Sequence, residues 1–111
     1  MIQQLTEEKI AELKQQYKKL FKTTLDNDQI IVWHPITRAD HRRIIESTDK
    51  LPTVAEAVSK REEEFCLACV VFPDIEAFKT MMEEYAGVAT MLTNEILDHS
   101  GFVVKEKAQE L

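Results

Sequence analysis

Cys66 and Cys69 form a C-x-x-C pair, the spacing of a zinc half-site or a dithiol redox motif. A zinc site needs a second ligand pair at matching spacing, and His34, His41 and His99 stand singly along the chain. A thioredoxin-like motif sits where a strand meets a helix, whereas these cysteines fall in an apolar run with helical period, which predicts buried, inert thiols of a reducing compartment. No histidine has neighbours at a spacing that marks a Ser-His-Asp or Cys-His arrangement. Glu62-Glu63-Glu64 and Glu83-Glu84 supply carboxylates, but charge runs on helices are solvated faces more often than acid–base pairs. Gly87 and Gly101 are the only glycines, so a glycine-rich phosphate loop is excluded. The expectation is a protein that is not an enzyme, with no catalytic, cofactor-binding or metal-binding residue.

The residues suited to adhesion are of another kind. Arg38 and Arg42, four apart on a predicted helix with Arg43 beside them, make a compact guanidinium cluster of the type that engages carboxylates bidentately and is enriched at protein interfaces. The same cluster has an intramolecular use, pairing with the acidic C-terminal part of its own chain. Ile30 and Val32 share one face of a predicted strand and Ile31 and Trp33 the other, so both faces are apolar. A sheet with a wet side shows only one such face. Either the hairpin is sandwiched within its own fold, the favoured reading, or its outer face docks against another protein. The candidate partner-binding residues are Ile30, Val32, Arg38 and Arg42.

These residues must be held by a small set of elements. Thr6, with Glu7 and Glu8 after it, opens an amphipathic helix carrying Ile10, Leu13 and Tyr17 on one stripe and ending near Lys19. Residues 20 to 34 read as a β-hairpin turning at Asp26-Asn27-Asp28. Pro35 stops the strand, and Thr37 with Asp40 opens a second helix that runs to about Thr48, with Ile36 as an apolar staple. Thr53 caps a third, whose apolar period runs through Val54, Ala57, Val58, Phe65, Ala68, Cys69 and Phe72. Pro73-Asp74 starts a fourth with Ile75, Phe78, Met82 and Tyr85 on one side, and Gly87 is expected as its C-terminal cap. A fifth carries Val88, Met91, Leu92, Ile96 and Leu97, and stops at His99-Ser100-Gly101 with Phe102 packing back. The fold class predicted is α+β, mainly α: one domain over 1–104 and a frayed charged tail over 105–111.

Charge narrows the partners. Residues 1–61 hold 11 Lys and Arg against 9 Asp and Glu, whereas residues 62–111 hold 3 against 11, so a mildly basic part precedes a strongly acidic one. Such a surface repels nucleic acid and anionic membrane, and it steers basic protein partners towards itself. No run approaches the ~20 apolar residues of a membrane span, and no basic-flanked apolar leader opens the chain, so residence in the cytosol is expected. A homo-oligomer is compatible with the sequence.

One ordered set of segments is more specific than any residue alone: Trp33-His34-Pro35-Ile36-Thr37-Arg38-Ala39-Asp40, Cys69-Val70-Val71-Phe72-Pro73, Ala86-Gly87-Val88, and Ile96-Leu97-Asp98-His99-Ser100-Gly101-Phe102. From about Tyr17 to Phe102 the chain resembles the small tail assembly chaperones of long-tailed bacteriophages, with His34 standing where the family often has an arginine before the proline. The shared motifs are caps, turns and helix stops. The resemblance implies a non-enzymatic protein of the bacterial host's cytoplasm, absent from the mature virion, that coats the long, aggregation-prone tape measure protein and helps tail tube subunits assemble around it. Two readings from other classes are a small acidic phage-encoded inhibitor of a host nucleic-acid-binding protein and a minor structural subunit of the virion.

Overall fold

The computed structural model describes residues 4–102 and 110–111. The fold class is α+β and mainly α. Among the described residues there are five helices, α1 (Glu7–Gln16), α2 (Arg38–Thr48), α3 (Val54–Cys69), α4 (Ile75–Glu84) and α5 (Val88–His99). Three strands, β1 (Phe21–Thr24), β2 (Ile30–Trp33) and β3 (Val70–Phe72), form one antiparallel sheet in the order β1-β2-β3. The expected frayed tail lies mostly outside the described residues.

Helix starts follow local chemistry. Thr6, Thr37 and Thr53 each accept, through Oγ1, the backbone N–H three residues on, at 3.1, 3.2 and 3.1 Å, and Asp74 Oδ1 accepts that of Ala77 at 2.9 Å. Each cap satisfies one of the donors that a helix leaves orphaned in its first turn. The hairpin turns on Asp28, whose φ of 65° is left-handed, while Asn27 Oδ1 accepts the Gln29 N–H at 3.0 Å.

Three expectations are corrected. The third helix stops at Cys69, and residues 70–72 leave the helical period to pair as β3 with the open side of β2, Val32 opposite Phe72. A short apolar run with β-branched residues satisfies either period, and the unfilled edge of β2 decides. Helix α1 stops at Gln16, ahead of the expected Lys19, because Tyr17 is already extended. Gly87 is no left-handed cap: its φ is −82°, it precedes the first turn of α5, and α4 ends at Glu84 with Tyr85 as its cap. The left-handed glycine is Gly101, φ 87°. Its N–H reaches Asp98 O at 3.4 Å and the Phe102 N–H reaches Leu97 O at 3.0 Å, the paired bonds of a Schellman helix stop.

The sheet is covered on both sides. Ile31 and Trp33 face the main core, where Ile44, Phe65, Cys66, Cys69, Phe78, Leu92 and Ile96 are buried. Val32 faces the other way and joins Leu13 of α1 and Phe72 in a smaller cluster, with Leu5, Tyr17, Leu20, Ile30 and Val71 around it. The apolar alternation of β2 thus serves two layers of one chain: α1 on one face, the remaining helices on the other.

Candidate functional site

Burial sets the chemistry of the two cysteines. Both are free and buried, at the C-terminal end of α3 under α5. Cys66 Sγ lies 3.5 Å from the Ala89 carbonyl oxygen and 3.7 Å from Thr93 Oγ1. Loss of hydration pushes the Cys66 thiol up to about 11 and that of Cys69 to about 12, so at neutral pH both are protonated thiols and poor nucleophiles. Among the described residues no group of three or more His, Cys, Asp or Glu is placed to hold a metal ion.

Each histidine sits against an aromatic ring. His34 stacks on Tyr17 at 4.6 Å, and its Nδ1 donates to the Pro35 carbonyl at 2.8 Å. His99 packs on Phe21 and Trp33 at 4.6 and 5.7 Å, with Nδ1 donating to the Glu95 carbonyl at 2.9 Å. His41 lies between Phe65 and Phe102, at 5.4 and 4.1 Å, and so fastens α2 to α3 and to the stop of α5. The first glutamate run is tied to helices: Glu62 Oε1 accepts the Thr90 hydroxyl at 3.0 Å, and Glu64 pairs with Lys60 at 3.3 Å.

The four candidate partner-binding residues divide. Arg38 and Arg42 are exposed on α2, and neither has an acidic partner among the described residues. Arg43 pairs with Asp40 of its own helix at 3.6 Å. The cation that does bind two elements together is one sequence reasoning passed over: Arg61 of α3 donates from Nε to Thr48 Oγ1 at 2.7 Å and pairs with Asp49 just past α2. A polar residue at the end of one helix followed by an arginine one helix later carries no periodic signal. Phe102 keeps 43% of its surface exposed, and its partner His41 is one turn from Arg38 and adjacent to Arg42, so an aromatic edge borders the basic face of α2.

The hairpin pair fares differently. Val32 is 6% exposed beneath α1, so its side chain is taken up by the chain itself and offers a partner nothing in this arrangement. Ile30, one pleat nearer the turn, is half-buried and lines an open groove of about 690 Å³ between the start of α1, the hairpin tip and α4. The four residues therefore do not form one patch: an arginine face lies on α2, and Ile30 belongs to a groove with other walls.

No protein-family model matches the chain, and no characterised protein matches it in sequence. Among solved structures, one similar to it is that of an uncharacterised protein from Bacillus stearothermophilus, with a TM-score of 0.68 over 90% of this chain and 99% of the other, at 15% identity. At that identity the likeness is one of fold. Among the described residues no helix is long and apolar enough to cross a membrane.

Proposed function

We propose that this chain is a tail assembly chaperone of a long-tailed bacteriophage, a non-enzymatic protein that binds the tape measure protein in the host cytoplasm, helps tube subunits assemble on it and is left out of the mature particle. The observation that supports the reading is where the segments that resemble that family's fall. Thr37 and Asp40 open α2, Phe72-Pro73 joins β3 to the Asp74 cap, and Ser100-Gly101-Phe102 closes α5, with Ser100 Oγ also accepting the Ile36 N–H at 2.9 Å. Residues that fix caps and stops determine a fold, so a chain that shares them in order shares an architecture before it shares a chemistry. Contact with the partner is assigned to the arginine face of α2, whose exposed guanidinium groups Arg38 and Arg42 have no acidic partner among the described residues and suit carboxylates.

Coexpression tests this. With the tape measure protein encoded in the same genome, the wild-type chain is expected to keep that protein in the soluble fraction, and a folded Arg38→Glu/Arg42→Glu variant is expected to lose most of the effect. An insoluble tape measure protein in the presence of wild type, or this chain found by mass spectrometry in purified virions, rules the reading out.

A further inference from the structure

The groove that Ile30 lines has walls of two kinds. Leu5 and Ile30, both half-buried, contribute apolar surface, whereas Asp28, Glu76 and Glu84 are exposed at its margin, and no Lys or Arg is among the described lining residues. Glu76, Thr80 and Glu84 follow one another at four-residue spacing on α4, which sets the two carboxylates about 12 Å apart along one wall. Ala77, between them in sequence and half-buried, leaves that wall low. Neither Glu76 nor Glu84 forms an ion pair among the described residues. Uncompensated carboxylates beside half-covered apolar surface repel an acidic occupant and attract one that brings both cations and apolar side chains.

We infer that this groove is a docking site for a basic, apolar segment of another protein, in which two Lys or Arg side chains flank aliphatic residues. In an extended segment, cations four residues apart are separated by about 13 Å, which matches the spacing of Glu76 and Glu84. The aliphatic residues between them rest on Leu5 and Ile30. The site is separate from the arginine face of α2, has the opposite charge, and does not depend on the identity given to the chain above.

The test uses the full chain and fluorescently labelled peptides containing Lys-Leu-Ala-Leu-Lys or, as the charge-reversed form, Glu-Leu-Ala-Leu-Glu, followed by anisotropy. Saturable binding of the lysine peptide is expected, with no binding of the glutamate peptide. Glu76→Lys/Glu84→Lys should weaken binding by about tenfold or more, because two attractive pairs become repulsive. Ala77→Arg should do the same by filling the wall with a like charge. Glu83→Lys, which alters net charge outside the groove, should leave affinity within about twofold; circular dichroism establishes that each variant is folded. If the lysine peptide fails to bind, or if Glu83→Lys weakens it as much as the double variant does, the groove is not the site. Neither result touches the coexpression experiment on Arg38 and Arg42, so the two readings fail separately.

Discussion

The indole N–H of Trp33 donates to Thr23 Oγ1 at 2.9 Å, and the Thr23 hydroxyl in turn donates to Glu95 at 2.9 Å. A fully buried donor on β2 is thereby connected, through the neighbouring strand β1, to a half-buried carboxylate on α5. The relay fixes the face of the hairpin towards the main core, since a one-residue slip in register would carry Thr23 away from Trp33 and strand the N–H.

Thr23→Val keeps the shape of the side chain but removes both bonds. The expected result is a loss of about 1 to 3 kcal/mol in urea unfolding, the cost of a buried indole N–H left without an acceptor. An unchanged midpoint would show that the relay contributes nothing to the hairpin's placement.

Val32→Asp places a carboxylate in the cluster formed with Leu13 and Phe72. Stability should fall by on the order of 3 kcal/mol or more, while Ile30→Asp, at a half-buried position open to the groove, should cost clearly less. Equal costs at the two positions would mean that α1 does not cover β2 in solution.

The two glycines should respond in opposite ways. Gly101→Ala forces a side chain onto a φ of 87° and is expected to cost about 1 to 2 kcal/mol, whereas Gly87→Ala, at a φ of −82° with open space around it, should stay within about 0.5 kcal/mol of wild type. Thermal melts of the two variants settle which glycine stops a helix.

The buried thiols predict an alkaline weakness. The folded chain holds its cysteine protons to about 11 and about 12, while an exposed thiol releases its proton near 9, so above pH 9 the unfolded chain binds fewer protons and stability falls as pH rises. Between pH 8 and pH 10 the urea midpoint of wild type should drop further than that of a Cys66→Ala/Cys69→Ala variant. Alkylation of native wild type at pH 8 should be slower than in urea by at least about tenfold. Rapid native alkylation would place the thiols at the surface.

The candidate surface was partly legible. That β2 is apolar on both faces is plain from Ile30-Ile31-Val32-Trp33, and the favoured expectation that the chain itself covers the hairpin holds: α1 takes Val32. The exposure of Arg38 and Arg42 was also readable, because helical period assigns them a side of α2 away from Ile44. The groove beside Ile30 was not, since its walls come from residues 4, 5, 28–30, 72, 73, 76, 77, 80, 81 and 84, and no local pattern joins segments so far apart.

What the sequence determined on its own is the punctuation: Thr6, Thr37, Thr53 and Asp74 open helices, Asn27 and Asp28 turn the hairpin, and Gly101 with Phe102 closes α5. These depend on a side chain and a backbone group a few residues away, so the neighbouring sequence contains the whole interaction. Only the tertiary structure decided that residues 70–72 are a strand, that Arg61 ties α3 to α2, and that Asp28, Glu76 and Glu84 share a groove. In each case the deciding group lies on another element, and its free energy exists only once the chain has brought the two together.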